Sequence, residues 1–422
     1  MMKQYDSYKD SGVEWIGKIP SHWEVCAFKR KIVINNGRDY KEYLDDEIYP
    51  VMGSGGCFTY CSKYLYDGEA VLLGRKGTID KPLYINGKFW AVDTMFYATP
   101  LSGLHCKYAY YLALTFPFDY YSTSTALPSM TQSDLGNNLV ALPPLDEQKS
   151  IAGYLDEKCG KIDKAIATQE KRLELLKELR QNIITQAVTR GINPNAPLKD
   201  SGVEWIGKVP EHWKVCRIKN VLKQGADSIK IGPFGSSLTG KVGADLEYKV
   251  YGQWNIVGAD FNAGTNTVNK ETFDELSKSY KVISGDILVS MMGTIGKCAV
   301  IPEGIQEGIM DSHVVKIRLN DSIMIGSYFE YIYDKDKSNV IFNQLQKMKG
   351  GSIMDGLNST IIKSLTILVP PLSEQQEIVS YIESQTARLD KSIEKAEHQI
   401  ELLQELKQSI ITEVVTGKRK VD

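Results

Sequence analysis

The sequence predicts an α+β protein built as an internal repeat, with two mixed α/β globular regions and two long helices. The repeat is visible in the segment KDSGVEWIGKIPSHWEVC at residues 9–26, which returns as KDSGVEWIGKVPEHWKVC at residues 199–216. The helices are predicted by two runs that lack proline, residues 145–190 and 372–417, each directly after a Pro-Pro pair. Each repeat therefore consists of a leading segment, a globular region and a long helix.

Apolar residues in both long helices recur at the heptad spacing of helices that pack as coiled coils. Each apolar stripe needs a partner, and the other helix is the obvious one. We therefore expect a helical pair rather than two independent surface helices. The residues expected in its interface are Leu155, Ile162, Ile166, Leu173, Leu176, Ile183, Ile382, Leu389, Ile393, Ile400, Leu403 and Ile410.

The domain boundaries follow from the repeat and from the turn-rich segment GINPNAP at residues 191–197. The predicted parts are a first globular domain, the first long helix, a linker, a second globular domain, the second long helix and a short tail. Their residue ranges are 1–144, 145–190, 191–198, 199–371, 372–418 and 419–422.

Short runs of strand-forming residues between turns fill both globular regions. The predicted strands are residues 47–52, 70–73 and 87–92 in the first region and 248–251, 286–290 and 313–318 in the second. The sequences of the two globular regions otherwise differ, although LGRKGTI at 73–79 faintly matches SMMGTIGK at 290–297. The leading segments and long helices are repeated closely, whereas the globular regions between them differ. This pattern fits the recognition of two different targets at a set distance, for example along a DNA duplex.

Composition and charge exclude some protein classes and leave others open. A hydrophobic fraction of 42% is typical of a globular protein, and a net charge of −2 neither indicates nor excludes nucleic acid. No apolar run approaches the roughly 18 residues of a membrane span, and the polar start does not resemble a secretion signal. We expect a cytoplasmic protein whose seven scattered cysteines are reduced.

Motifs that carry chemistry are missing from the sequence. It contains no phosphate-binding loop, no GxGxxG, no GxSxG and no HExxH, and its cysteines and histidines do not form a zinc set. We therefore expect no catalytic residue and no metal site. The Trp and His residues of the leading segments are interpreted as a hydrophobic clasp rather than as a stacking platform for bases.

Several motifs together resemble the specificity (S) subunit of type I restriction–modification enzymes. They are the duplicated leading segment, PPLDEQ at 143–148, PPLSEQ at 370–375, GRKGT at 74–78 and MGTIGK at 292–297. The resemblance covers essentially the whole chain. It implies that the globular regions are target recognition domains, each reading one half of a split DNA sequence, and that the long helices pack antiparallel as a spacer.

The resemblance also implies partners. Two methyltransferase (M) subunits would dock on this chain, and two restriction/translocase (R) subunits would join them on double-stranded DNA. S-adenosylmethionine, ATP and magnesium would then be bound by the partner subunits, and no cofactor by this chain.

Reading of bases requires polar or cationic side chains on loops and strand ends. In the first domain the candidates are Arg75, Lys76 and Thr78, beside the glycine-rich turn at 53–56, with Ser124 and Ser129 in a second loop. In the second domain the candidates are Ser236, Ser237, Gln253, Asn255, Thr294 and Lys297, with Lys347 as the candidate phosphate contact. The alternative for each is an ordinary turn residue or a solvated charge.

Two other classes of protein stay open on the sequence alone. One is a DNA-binding regulator that works without a methyltransferase, and the other is a coiled-coil scaffold without DNA contact. Salt-dependent affinity for DNA separates the scaffold from the other two.

Overall fold

The computed structural model describes residues 4–44, 46–118, 128–225, 227–233, 237–348 and 357–421. The chain divides into two compact units, residues 1–170 with 397–422, and residues 171–396. Each unit contains one globular region together with one end of α3 (Leu145–Arg190) and one end of α9 (Leu372–Val415). The predicted α+β fold with an internal repeat is confirmed.

The described part of the first unit contains ten strands, six of which form one sheet. The ten strands are β1 (Tyr8–Asp10), β2 (Lys18–Pro20), β3 (Glu24–Ala27), β4 (Ile32–Asn36), β5 (Tyr49–Gly53), β6 (Gly56–Cys61), β7 (Tyr66–Gly74), β8 (Leu83–Ala91), β9 (Met95–Pro100) and β10 (Leu139–Leu142). Its short helices are α1 (Cys106–Ala113) and α2 (Gln132–Asn137), with 3-10 turns at Phe28–Arg30 and Lys41–Tyr43. The sheet order is β4-β9-β7-β8-β5-β6, in which β5 and β8 are parallel. The pairs β1–β2 and β3–β10 form separate antiparallel ribbons.

Strand β7 shows why this sheet forms. Successive side chains of a strand point to opposite faces, and both faces of β7 are covered. Val71 and Leu73 join a core with α1 and the helix ends, whereas Ala70 and Leu72 pack with Trp90 on the other face. A continuous apolar run is therefore what the position requires.

The second unit carries two four-stranded sheets. Its strands are β11 (Leu198–Asp200), β12 (Lys208–Pro210), β13 (Lys214–Arg217), β14 (Ile229–Ile231), β15 (Tyr248–Tyr251), β16 (Thr267–Val268), β17 (Lys281–Val282), β18 (Ile287–Ser290), β19 (Cys298–Val300), β20 (Gly308–Met310), β21 (Val314–Ile317) and β22 (Thr366–Val369). Its helices are α4 (Gln253–Gly258), α5 (Lys270–Tyr280), α6 (Gly326–Tyr333), α7 (Val340–Met348) and α8 (Ser359–Ser364), with a 3-10 turn at Ile218–Asn220.

The sheet orders of the second unit are β14-β21-β18-β19 and β16-β15-β20-β17, and β11–β12 and β13–β22 form two-stranded ribbons. Strands β15 and β20 are parallel, as β5 and β8 are in the first unit. All six predicted strand segments fall on strands of the structure. The two globular regions therefore share a frame although their lengths and sheets differ.

The last turns of each long helix are buried in the core of one unit. In the first unit, Val414 and Val415 at the end of α9 join the core, and Tyr108 Oη donates to the Val415 carbonyl at 3.3 Å. In the second unit, Val188 near the end of α3 is buried in the same way, and Tyr328 Oη donates to its carbonyl at 3.2 Å. The repeat thus extends to individual hydrogen bonds.

Glycine sets the end of both long helices. Gly191 and Gly417 follow them with φ of 72° and 71°, a left-handed conformation that favours glycine. A Cβ atom at position 417 would also lie 2.2 Å from Pro20 Cδ. The sequence predicts that the second helix extends to residue 418, but α9 ends at Val415 because the chain turns at Gly417 to pass Pro20.

The two helices run antiparallel within each unit. In the first unit Leu155 of α3 shares a core with Val415 of α9, and two turns later Asp163 lies 2.7 Å from Lys407 Nζ, two turns earlier in α9. The equivalent ion pair of the second unit joins Arg180 Nε to Asp390 Oδ1 at 2.6 Å. The antiparallel pairing implied by the resemblance is confirmed.

Candidate nucleic-acid interface

One end of the six-stranded sheet brings together the loops that follow β4, β5, β7 and β8. Main-chain hydrogen bonds of 2.9–3.2 Å hold these loops in place: Gly37 N to Met95 O, Val92 N to Met52 O, and Arg75 N to Thr94 O. We call residues 37–40, 53–56, 75–78 and 92–94 the first edge. The predicted Arg75, Lys76 and Thr78 lie on it.

The turn that carries Arg75 is fixed on several sides. The Arg75 carbonyl accepts from Met130 N at 2.9 Å, and Lys76 forms an isolated β-bridge with Ser129. The Arg75 side chain is half-buried, because Nη1 donates to the Asp93 carbonyl at 3.3 Å and the guanidinium lies 5.8 Å from the centre of the Phe96 ring. Lys76 and Thr78 are exposed. Ser129 thus belongs to the same cluster, whereas Ser124 lies outside the described residues.

Arg38 is a further cation of the first edge that sequence reasoning missed. Its side chain is exposed, while its main chain is held by Ala91 O at 2.9 Å and by Trp90 Nε1 at 2.8 Å. A Cβ atom on the preceding Gly37 would lie 1.9 Å from Val92 O, so the loop approaches the neighbouring loop too closely for any other residue. The signal in the sequence is the turn NNGRD directly after a strand.

The second unit repeats this arrangement with different side chains. Main-chain hydrogen bonds of 2.9–3.1 Å join the equivalent loops: Gly232 N to Val314 O, Asp311 N to Tyr251 O, and Met291 N to His313 O. We call residues 232–233, 252–255, 291–295 and 311–313 the second edge. The faint match between residues 73–79 and 290–297 therefore corresponds to a real structural equivalence.

Gln253 and Thr294 meet on the second edge. Gln253 Nε2 donates to Thr294 Oγ1 at 3.1 Å, and also to Ser290 Oγ and the Met292 carbonyl. Ser290 Oγ and Thr294 Oγ1 are 2.6 Å apart, so the three side chains form one network. Ser237 is described and half-buried, whereas Ser236 lies outside the described residues.

The structure uses Asn255 and Lys297 internally, contrary to their predicted role. Asn255 is buried, accepts from Gly252 N at 3.0 Å and donates to the carbonyls of Asp260 and Ala263, both at 2.9 Å. Burial alone would lower the pKa of Lys297, but its hydrogen bond to Asp336 and the charge of Asp334 outweigh it and raise this pKa. Asn255 is buried with its amide engaged, and Lys297 is held in an ion pair with Asp336, so we remove both from the proposed interface.

Lys347 is a third departure. Its ammonium lies 2.8 Å from Glu204 Oε2 and 4.6 Å from the centre of the Trp205 ring, so it joins α7 to the leading segment. It is exposed but paired with a carboxylate of the leading segment. We do not retain it as a phosphate contact.

With this geometry in place, comparison with known proteins decides the family. The family model described as the type I restriction modification DNA specificity domain matches the chain twice, at residues 20–178 and 210–402. The chain belongs to this family. Each matched copy runs from a leading segment into a long helix, so each DNA specificity domain coincides with one repeat.

Relatives of similar length support the assignment. The type I restriction enzyme MjaVIII specificity subunit of Methanocaldococcus jannaschii is 22% identical and aligned over 96% of this chain and 94% of its own length. The putative specificity subunit S.HindORF215P of Haemophilus influenzae is 24% identical over 85% and 87%. A solved structure concerning complex assembly and conformational transition of the type I R-M system is 16% identical, covers 94% of this chain and 98% of that chain, and has a TM-score of 0.64. That likeness shows a shared fold.

The PPLxEQ motif of this specificity subunit anchors the leading segments. Trp23 is fully buried and its Nε1 donates to Glu147 Oε1 at 3.2 Å, while His22 Nε2 lies 2.9 Å from the other carboxylate oxygen. In the second unit, Trp213 and His212 contact Glu374 at 3.0 and 2.7 Å. The clasp interpretation is confirmed for Trp23 and Trp213.

The glutamine of the motif fastens a second segment. Gln148 is buried, donates from Nε2 to the carbonyls of Gly103 and Pro143, and accepts from His105 N at 2.9 Å. Gln375 makes the same three bonds with Ile323 O, Pro370 O and Ile325 N in the second unit. One Glu-Gln pair in each specificity domain therefore ties three parts of the chain together.

The helix-pair residues predicted from the heptad pattern are all at least partly covered. Leu155 and Ile382 are fully buried, and the other ten are half-buried: Ile162, Ile166, Leu173, Leu176, Ile183, Leu389, Ile393, Ile400, Leu403 and Ile410. The pattern missed a set of exposed leucines. Leu175 and Leu179 are 56% and 48% exposed on α3, and Leu402 and Leu406 are 49% and 48% exposed on α9.

We call Leu175 with Leu179 the first leucine patch and Leu402 with Leu406 the second. They occupy equivalent positions in ELLKEL at 174–179 and ELLQEL at 401–406. Within the described parts of the chain, no group of three metal-ligating side chains occurs. No helix there is long and apolar enough to cross a membrane.

Proposed function

We propose that this chain reads a bipartite DNA sequence, with the first edge contacting one half-site and the second edge the other. The observation that carries the proposal is the equivalence of the two edges. The same main-chain hydrogen bonds place four loops in each unit, whereas the side chains on those loops differ. Recognition of two different half-sites requires this combination of a constant main-chain arrangement and different side chains on the loops.

On the first edge, Arg75 and Lys76 are proposed to read bases and Arg38 to contact phosphate. Arg75 is preorganised by Asp93 O and Phe96, so little side-chain entropy is lost on binding. A bidentate arginine–guanine contact discriminates by about 1–3 kcal/mol, and exposed cations next to it hold the duplex in register. Thr78 and Ser129 complete the proposed surface.

On the second edge, Gln253 and Thr294 are the proposed polar readers. Nε2 of Gln253 is engaged by Ser290, Met292 and Thr294, which leaves its Oε1 as a fixed acceptor. Cytosine N4 and adenine N6 are the donors that such an acceptor can meet in the major groove.

The helix pair is proposed to set the gap between the half-sites and to dock the methyltransferase subunits. The leucine patches support docking, because two equivalent apolar surfaces on a repeated chain fit two copies of one partner. Restriction subunits would join this assembly in the cytoplasm. We propose that methyl transfer and cleavage, with S-adenosylmethionine, ATP and magnesium, belong to those partners and that this chain does not catalyse a reaction.

The test is selection of randomised duplexes by the chain, alone and with its co-expressed methyltransferase. We expect a split motif with a fixed gap, enriched best in the complex. Arg75→Ala should relax one half of that motif and leave the other half and the gap unchanged. No enrichment by a folded, assembled complex would contradict the proposal and favour the scaffold class.

A further inference from the structure

Trp254 is the most unusual side chain of the second edge. It lies in the first turn of α4 and is 76% exposed, more than any other large apolar residue of the described chain. Met292, on the neighbouring loop, is 50% exposed, and its carbonyl accepts a hydrogen bond from Gln253, the residue before Trp254. The tip of the second edge is therefore apolar.

This apolar tip is held rigidly. Asn255 fastens the start of α4 to Gly252, Asp260 and Ala263, and Gln253 fastens it to the Met292 loop. A Cβ atom on Gly252 would lie 2.5 Å from Asp311 Oδ2, so this loop packs closely on the next one. The main chain that carries the exposed indole is therefore already ordered before a partner binds, which lowers the entropy cost of binding.

The chemistry of the second edge differs from that of the first. The first edge carries Arg38, Arg75 and Lys76, whereas the second-edge residues 232–233, 252–255, 291–295 and 311–313 include no lysine or arginine. Long-range attraction to phosphate therefore cannot be the main role of these loops. Because the edge is equivalent to a proposed DNA surface, its partner should be the apolar part of DNA, which is the faces of the bases.

We propose that Trp254 and Met292 form a wedge that stacks on bases at an opened step of the second half-site. The inference rests on the proposed function. Apolar side chains that enter a base step unstack it partially and bend the duplex. Pyrimidine–purine steps open most easily, so the wedge selects such a step through its deformability rather than through hydrogen bonds. The second half-site is then read through an opened step in addition to the Gln253 acceptor, whereas cationic side chains read the first half-site.

The first test compares variants of the complete complex with its methyltransferase on the selected duplex. Trp254→Ala should weaken binding by about 5- to 150-fold, the range given by loss of one base–aromatic stack, while Trp254→Phe should retain most of the affinity. Ile283→Ala is the matched control. Ile283 is 44% exposed and precedes β18, at the end opposite the Met292 loop, and its loss should leave binding unchanged.

The second test places 2-aminopurine at successive positions of both half-sites. We expect fluorescence to rise at one step of the second half-site on binding, and the rise to disappear with Trp254→Ala but not with Arg75→Ala. Selection with Trp254→Ala should relax that step and leave the first half and the gap unchanged. Unchanged affinity and motif in Trp254→Ala would overturn the wedge.

Two further outcomes would also overturn it. Loss of the methyltransferase from Trp254→Ala, with normal DNA selection once it is restored, would make this tip a protein-docking surface. A loss of affinity reproduced in the wild type by replacing thymine with uracil, without an aminopurine signal, would make it a thymine-methyl contact. If the wild-type complex selected no split motif, the proposed function itself would fail and the wedge with it.

Discussion

The continuous helix pair allows the gap between the proposed half-sites to be changed by design. Seven residues inserted into α3 between Asp163 and Arg180, and seven into α9 between Asp390 and Lys407, preserve both ion pairs and the heptad pattern. At 1.5 Å per residue the pair lengthens by about 10 Å, which is close to three base pairs at roughly 3.4 Å each. We expect the gap to grow by about three base pairs while both half-sites stay the same.

The assay is selection of randomised duplexes or mapping of methylated sites in cells that express the complex. The control is insertion of the heptad into α9 alone, which shifts the helices against each other and cannot keep both ion pairs. This control should lower the melting temperature and abolish selection. Altered half-sites with the original gap in the double insertion would refute the role of the helices as a ruler.

Three other perturbations test parts of the structure separately. Gln375→Ala leaves three main-chain groups without their partner and should destabilise the second unit by about 2–4 kcal/mol in urea unfolding. Its exposed neighbour Gln376→Ala should change stability by less than about 0.5 kcal/mol, and equal effects of the two substitutions would contradict the anchoring role of Gln375. Replacing both leucines of the first leucine patch by glutamate should reduce the number of methyltransferase copies in the complex from two to one, as measured by the mass of the complex. The same replacement in the second leucine patch should have the same effect. Two retained copies would exclude these patches as docking sites. Cys57 is exposed, whereas burial raises the pKa of the Cys298 thiol well above its usual value and that of the Cys106 thiol to about 12. Iodoacetamide at neutral pH should therefore label Cys57 first. Rapid labelling of Cys298 in the folded chain would contradict the packing.

The frame could be predicted from the sequence because it depends on local signals. The Pro-Pro pairs, the heptads and the repeated leading segment identify both long helices and their pairing without any long-range information. The strand segments follow from short apolar runs between turns. Even the faint match of residues 73–79 with 290–297 locates equivalent loops.

The site could be predicted only in part because its side chains depend on distant partners. Lys297 looks like a free cation in a glycine-rich turn, but its carboxylate partners come from Asp334 and Asp336, far along the chain. Asn255 looks like a reader and serves instead as a fastener for α4. Arg38 and Trp254 are candidates because they are exposed and lie on the first and second edge, respectively. Neither their exposure nor their position can be predicted from sequence periodicity.

The Glu-Gln pair of each PPLxEQ motif has a consequence for how such a chain can acquire a new specificity. Gln148 and Gln375 bind mostly main-chain atoms, which every amino acid sequence provides. The glutamate partners, Trp and His, lie in the leading segments and outside the loops of either edge. Mutation or recombination in the middle of a repeat can therefore replace an entire edge without disturbing its attachment. The residues that anchor each globular region are thus separate from the residues of its edge, and this separation allows the edge to change in sequence while the fold is kept.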